Sequence, residues 1–233
     1  MEAPRDPRMQ VSTIHKTINP QSQVYLALHS CYSVEPAIAC NLSESIAGEV
    51  CVKRLLAGGR AHLSPLEQIQ IAFNCAYIPH SVVAQITRHR HVSFSVQSFR
   101  YTSPPETESD DDIENIFYLR QPGQYPSRTG IFNYTEKMRE EDIQLMKLTL
   151  LQYHIRVHQG IPPEQARGLL SYDYRQHFMC SFNARALMEF IELRHKADAQ
   201  WETQQITEMF FRELKSWVPE IAAWFEKNKF RLR

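Results

Sequence analysis

The chain reads as an α+β fold, an antiparallel sheet flanked by helices, and three features predict it. A β-branched stretch from Met9 to Ile18 and a strictly alternating one from Ile69 to Tyr77 place the strand-forming segments early. Segments of helical spacing fill the second half, and strands early with helices late point to this class. No internal repeat or low-complexity tract divides the 233 residues, so they are read as a single domain over 1–233 with room for one sizeable core.

Each element has a local reason. Residues 1–8 hold two prolines and mixed charges and read as a loose terminus, followed by the strand from Met9. Ser43 is placed as a helix N-cap. Ile46 with Val50, and Ala47 with Cys51 and Leu55, then make two i,i+4 rows, and Gly58-Gly59 supplies the stop. In the next strand Ile69, Ile71, Phe73, Cys75 and Tyr77 form one face and Ile78-Pro79 ends it. Pro79 suits a helix N1 position, with Val82, Val83 and Ile86 at helical spacing after it. Residues 104–130, with Pro104-Pro105, an acidic run from Glu106 to Glu114 and Pro122-Gly123, read as a long solvated excursion. A helix is expected from Asn133 to about His158 (Tyr134, Met138, Leu145, Leu148), closed by Gly160 and Pro162-Pro163. Further helices are expected over Glu164–Leu170, Ser181–Arg194 and Ala199–Trp217, the last ending before Pro219.

Composition narrows the function. Lysine plus arginine equals aspartate plus glutamate at 26 each. A dedicated duplex-binding protein normally carries a basic excess, because phosphate neutralisation supplies most of its affinity, so no nucleic-acid partner is expected. The five cysteines are scattered, odd in number and without a CxxC pair, which fits a reducing cytosol. No leader opens the chain and no apolar run approaches the ~18 residues of a membrane span. The expectation is a cytoplasmic protein with no membrane partner.

The most informative stretch runs from Arg88 to Tyr101 (RHRHVSFSVQSFRY). It sets Arg88, Arg90 and Arg100, His89 and His91, Gln97 and Ser98 beside Val92, Phe94 and Phe99. Guanidinium forks match phosphate and carboxylate and stack on flat rings, so an anion carrying an aromatic ring, such as a nucleotide, suits them. The bland reading is surface arginines paired with the acidic run downstream. Ser98 lacks a G-x-S-x-G elbow and reads as a hydrogen-bond donor to a ligand. His154 and His158 have i,i+4 spacing but lack the HExxH glutamate, and arginine flanks His89 and His91, so no metal site is expected. Asn183 and Arg194 stand eleven residues apart, about three helical turns. They are either an ordinary helix-end pattern or two contacts to one elongated ligand. Arg185 and Glu189 form an i,i+4 pair, and Arg167 carries no signal of its own.

Arg88-His89-Arg90, seven residues and then Ser98 resembles the RHR-x7-S signature of the flavin-dependent thymidylate synthases. His62-Leu63-Ser64-Pro65-Leu66-Glu67 is similar to that family's H-x-[ST]-P-x-E segment. The run from Asn183-Ala184-Arg185 through Leu193-Arg194 to Gln200-Trp201-Glu202 is similar to its N-A-R-x-L-x-x-F…L-R…A-Q-W-E pattern. The likeness covers nearly the whole chain, most weakly at the N-terminus and over 104–130.

The resemblance implies a homotetramer with active sites shared between subunits. It also implies conversion of dUMP to dTMP, with methylenetetrahydrofolate as one-carbon donor, FAD as hydride carrier and NADPH as reductant. By position, Ser64, Arg88, His89, Arg90, Asn183, Arg185 and Glu189 would contact FAD. Gln85, Ile86, Thr87 and Arg88, the stretch Val96, Gln97, Ser98, Phe99 and Arg100, and Arg167 and Arg194 would bind dUMP. Arg194 and Ser98 are the candidate catalytic residues. Arg194, near uracil N3, would stabilise an enolate-like ring, and Ser98 would position dUMP without a covalent role. None of the five cysteines sits in the Pro-Cys-His setting of the thiolate used by the classical thymidylate synthase. Two positions depart from the family pattern: Val96 stands where glutamate is frequent, and Asp198 where some relatives have histidine. Two competing readings use the same residues, another flavin or nucleotide enzyme on this scaffold and a nucleic-acid-binding module built on 88–101.

Overall fold

The computed structural model of the protein describes residues 3–38, 41–57, 62–127 and 129–230. Among them are strands β1 (Gln10–Lys16), β2 (Gln70–Pro79), β3 (Ser93–Val96), β4 (Gly123–Ser127), β5 (Gly130–Tyr134) and β6 (Arg175–Asn183). The main sheet has the order β1-β2-β6-β3, antiparallel throughout, while β4 and β5 pair as a separate hairpin. The helices are α1 (Pro20–Tyr32), α2 (Glu44–Cys51), α3 (His80–Ile86), α4 (Asp110–Ile116), α5 (Glu136–His158), α6 (Pro163–Ala166), α7 (Ala184–Arg194), α8 (Trp201–Trp217) and α9 (Pro219–Asn228). The α+β expectation holds.

The core forms where two alternating strands meet two amphipathic helices. Ile71, Phe73 and Cys75 of β2 are buried, as are Phe178, Cys180 and Phe182 of β6. The register sets Phe73 opposite Cys180 and Cys75 opposite Phe178, so these side chains share one face. Phe73, Phe182, Phe190 of α7 and Phe210 of α8 then interlock, with ring centroids 4.7 Å apart for Phe73–Phe210 and 5.4 Å for Phe182–Phe190. Each such burial stabilises the fold by about 1.5–3 kcal/mol.

Several expectations are corrected. The segment 181–194 is not one helix: β6 runs to Asn183 and α7 begins at Ala184. A period-two apolar set (Phe178, Cys180, Phe182) passes directly into a helical one (Leu187, Phe190, Ile191), and Asn183 caps the junction by accepting from the Ala186 N–H at 2.8 Å. In β2 the alternation breaks at a bulge between Cys75 and Ile78, where Tyr77 takes φ 60° and Ile78 replaces it in the buried row. Pro79 is the last residue of β2 and the N-cap of α3, not its N1. β3 lies inside the basic segment that read as loop. α1 and α9 had no counterpart in the sequence reading. Ser43 does cap α2, which passes into a π-helical turn over Val52–Leu56; the Gly58-Gly59 stop lies outside the described residues.

The 104–130 segment is not a solvated excursion. It contains α4 and β4, and Ile113, Phe117, Tyr118, Leu119 and Tyr125 are buried. Ile113, Ile116 and Phe117 join Ile143, Met146, Leu150 and Tyr153 of α5 and Phe99 in a second core. Helix α5 starts at Glu136, after β5 and the N-cap Thr135, and the apolar residues that suggested it lie largely outside: Met138, Leu145 and Leu148 are exposed. Nor are residues 3–8 loose. Asp6 accepts from Arg175 Nη1 at 2.5 Å with both side chains 2 % exposed, and the Trp201 indole donates to the Pro4 carbonyl at 2.9 Å.

Candidate active site

Three groups of the expected residues can be followed in the fold. The first lies where α3 meets the end of α7. Arg194 Nη2 donates to the Gln85 carbonyl at 2.7 Å, and Arg194 Nε is buried without a protein partner among the described residues. The Gln85 amide donates to Gln200, fixing α3 against the start of α8. Ile86 is fully buried, and the Thr87 hydroxyl donates to the Val83 carbonyl at 2.8 Å, closing α3. The chain then turns through Arg88, His89 and Arg90. The His89 ring stands edge-on to Phe190, centroids 5.5 Å apart.

Electrostatics there favour an anion. Burial and the Arg88 charge both lower the pKa of Arg194. Burial, then Arg194, holds His89 below its ordinary value, so the imidazole is neutral at neutral pH. Arg88 and Arg90 are exposed, with no carboxylate partner among the described residues. The pairing of these arginines with the acidic run is not found. Asp111 pairs with Arg8, Glu114 with Arg8 and Arg139, Asp110 with Lys147, and Glu106 with His158.

The second group sits at the opposite end of β6. Arg185 donates to Glu189 at 2.9 Å and to Glu67 at 2.7 Å. Asn183 spends its side-chain oxygen on the α7 N-terminus, which is the ordinary helix-end role. Ser64 opens a 3₁₀ turn (Ser64–Gln68), its hydroxyl 2.6 Å from His62 Nε2, while His62 Nδ1 lies 2.9 Å from the Tyr32 hydroxyl. Glu67, His62 and Tyr32 were not among the expected site residues. The first two stand inside the His62–Glu67 motif and were legible there, but Tyr32 carries no local signal.

The third group follows β3. Val96 is half-buried against the core. The Gln97 N–H donates to the His177 carbonyl at 2.9 Å, and the Gln97 side-chain oxygen accepts from the His177 N–H at 3.3 Å. Ser98 accepts from the Arg100 N–H at 3.4 Å. Phe99 is buried on Tyr174, centroids 4.4 Å apart, and Arg167, exposed, acts electrostatically on the same Tyr174. Arg100 projects over the Tyr101 ring, 5.6 Å from its centroid, in the exposed layer.

One chain brings the first group together but does not bring all three together. Gln97 pairs with His177 and the Asn183 cap is six residues further along β6, about 20 Å of strand. Among the described residues no cluster of three metal-ligating side chains occurs, and no helix is long and apolar enough to cross a membrane.

Comparison with known proteins places this geometry in context. The family described as thymidylate synthase complementing protein (Thy1) matches residues 13–220. The chain is 29 % identical to the flavin-dependent thymidylate synthase of Haloarcula marismortui, over 94 % of this chain and 96 % of that one. It is 32 % identical to the enzyme of that description from Pseudothermotoga lettingae, over 78 % and 75 %. The fold is similar to that of thymidylate synthase X from Helicobacter pylori, solved with FAD and dUMP (TM-score 0.71, 20 % identity, 96 % of this chain and 100 % of that one). It is similar also to the UMP/dUMP methylase PolB of Streptomyces cacaoi bound with 5-Br dUMP (TM-score 0.74, 20 % identity, 95 % and 96 %).

Proposed function

The chain belongs to the Thy1 family of flavin-dependent thymidylate synthases, enzymes that convert dUMP to dTMP, and on that premise we propose that Arg194 activates the pyrimidine ring. The observation that carries this reading is the junction of Arg194 with Gln85 and Arg88. A half-buried guanidinium, tied by one N–H to a backbone carbonyl, keeps a buried Nε without a partner among the described residues, beside a second cation. Such a group favours an anionic ring edge more than a solvated one does, because burial removes the competing water.

Among the described residues, which do not include Cys40, the cysteines favour activation without a thiolate. Cys51, Cys75 and Cys180 are buried, and burial pushes the Cys75 thiol far above the ordinary range. Cys31 is exposed on α1, outside all three groups. Electron density at uracil C5 would then come from charge stabilisation at N3 and the carbonyl oxygens. Arg194 would hold that charge, Ser98 and Arg100 would orient dUMP, and Arg167 would meet its phosphate.

The residues fit FAD by their donor chemistry. Arg88 and Arg90 are exposed and unpaired with carboxylates among the described residues, as a diphosphate requires, and the Ser64 hydroxyl is held by His62. Asn183, Arg185, Glu189 and His89 complete the proposed contact set. Bound FAD would supply hydride transfer, with NADPH as reductant and methylenetetrahydrofolate as one-carbon donor. The 20 Å split between groups supports a homotetramer in which neighbouring chains complete each site. The exposed row Leu145, Leu148 and Leu151 on α5 gives such an assembly an apolar face.

The test is dTMP formation from dUMP, methylenetetrahydrofolate and NADPH by the flavin-loaded protein. Arg194→Ala should lower turnover by about 10²–10³-fold, the usual cost of one preorganised donor, while flavin absorbance is kept. Turnover retained in that variant overturns the role of Arg194.

A further inference from the structure

One residue of α3 holds both ends of the turn that joins α7 to α8. Helix α7 closes on Arg194 and α8 opens at Trp201, with residues 195–200 between them. The Gln85 carbonyl accepts from Arg194 Nη2 at 2.7 Å, while the Gln85 side chain meets the other end of the turn. Its Nε2 donates to Gln200 Oε1, and its Oε1 accepts from the Thr203 hydroxyl at 3.4 Å. Gln200 Nε2 donates in turn to Ser81 Oγ at 3.2 Å, one turn earlier on α3. Gln200 is the N-cap of α8, yet its side chain makes no capping hydrogen bond to that helix. It is spent across the junction, on α3.

The placement of Arg194 depends on this clasp. Helix α3 is seven residues long, and Gln85 stands in its last turn, where carbonyls have no N–H of their own helix to meet. The His89 N–H goes to the Ile86 carbonyl at 3.0 Å, which leaves the Gln85 carbonyl to Arg194. A guanidinium on a long side chain with many rotamers is then placed only as well as that carbonyl is. Holding the Gln85 side chain against α8 fixes the carbonyl of the same residue. Thr203 is fully buried and Gln200 half-buried, both at the start of a 17-residue helix. We propose that Gln200 is a positioning residue for Arg194, acting through Gln85, with Thr203 as its second support. Its effect on turnover rests on the role proposed for Arg194; the contact itself does not.

The test compares flavin-loaded wild type with Gln200→Met, which keeps the length of the side chain and removes both of its hydrogen bonds. The first readout is the His89 pKa, followed by NMR of the imidazole protons and assigned with His89→Gln. Burial and the Arg194 charge hold this pKa down, so a guanidinium that drifts away should let it rise towards its ordinary value. Arg194→Ala calibrates the rise. The second readout is turnover of dUMP per bound flavin. A misplacement of about 1 Å can cost about 100-fold, so kcat should fall by about tenfold to 100-fold with flavin still bound. A double-mutant cycle with Gln85→Met traces the route, since the double variant should lose no more than the worse single one. Should Gln200→Met fail to fold, Thr203→Val, which deletes the hydroxyl at nearly constant shape, is read in its place, with smaller changes in the same directions. An unchanged His89 pKa, or additive losses in the cycle, overturns the assignment. So does full turnover in Gln200→Met where Arg194→Ala has lost it. The role of Arg194 fails separately. If Arg194→Ala keeps its turnover while Gln200→Met raises the His89 pKa, Gln200 still positions Arg194, but Arg194 does not activate the ring.

Discussion

Arg175 stands eight residues before the end of β6 and Arg194 ten residues after the start of α7, and the protein treats their charges in opposite ways. Arg175 opens β6 with its side chain 2 % exposed and every direction filled. It donates to both Asp6 oxygens, to the Tyr77 carbonyl at 2.6 Å and to the Glu114 carbonyl at 2.7 Å. Arg194 closes α7 with one backbone acceptor and a buried Nε left over. A saturated guanidinium ties chain segments together. An unsaturated one beside a second cation keeps a donor that no described residue takes up. The same contrast sorts the other arginines: Arg139 and Arg8 are spent on Glu114, whereas Arg88 and Arg90 have no carboxylate among the described residues.

The sharpest break of this comparison is to remove the saturated member. Arg175→Ala strands the Asp6 carboxylate, 2 % exposed, along with three carbonyls, and unpairing one partner of a buried ion pair costs about 3–5 kcal/mol. Chemical denaturation should show a lower midpoint corresponding to a stability loss of that size. A variant as stable as wild type would mean that Asp6 finds water instead.

Arg88→Ala probes the unsaturated side. Here stability should stay within about 0.5 kcal/mol, because no ion pair among the described residues is lost. Anion binding should weaken by roughly tenfold to a hundredfold, the worth of a charge-assisted hydrogen bond. Equilibrium titration with FAD and dUMP reads this directly. A thermal shift without an affinity loss would place Arg88 among the structural arginines after all.

His89 gives a smaller, pH-dependent contrast. Burial and Arg194 depress its pKa in the folded state below 6.5, whereas the unfolded chain takes the proton at that value. Below pH 6.5 the unfolded state therefore binds more protons than the folded one, and stability falls as pH falls through this window. His89→Gln should flatten that part of the stability–pH curve relative to wild type, and an anion bound at Arg88 and Arg194 should raise the His89 pKa. Superimposable curves for the two proteins would remove the coupling.

Much of the candidate site is legible in the sequence as motifs, and its arrangement in space is not. Arg88, Arg194, Ser64 and Gln85 lie in motifs whose residue types need no fold to be noticed. What could not be read is that Gln97 and Asn183 attach to the same strand six residues apart, because β6 was hidden. Its period-two apolar set runs without a break into the helical set of α7, and Asn183, the only boundary mark, also occurs in the motif. β3 was masked in the same way, since Phe94 and Val96 are its only half-buried apolar residues and arginine and histidine precede them. Over 104–130, proline and acidic content outvoted Ile113, Phe117, Tyr118 and Tyr125, which tertiary packing buries regardless. On α5, Leu145 and Leu148 have the helical spacing of a core face but point outward, so period alone did not reveal which apolar face this chain buries.

The finest test of the comparison is Arg185, which is saturated yet exposed. Glu67 and Glu189 hold it at 2.7 and 2.9 Å, but the side chains are about 40 % exposed, and ion pairs of that kind contribute about 0–1 kcal/mol. Arg185→Met keeps the aliphatic stem on α7 and deletes the charge. Its stability should differ from wild type by less than about 1 kcal/mol, far below the Arg175 loss, although both residues accept the same kind of partner. Salt should narrow even that difference, because the pair is open to counter-ions. If flavin affinity falls in Arg185→Met while Glu67→Gln leaves it intact, the carboxylates serve only to aim the guanidinium outward. If both variants bind flavin as wild type does, Arg185 belongs with the structural arginines, and saturation by carboxylates is enough to tell the two kinds apart.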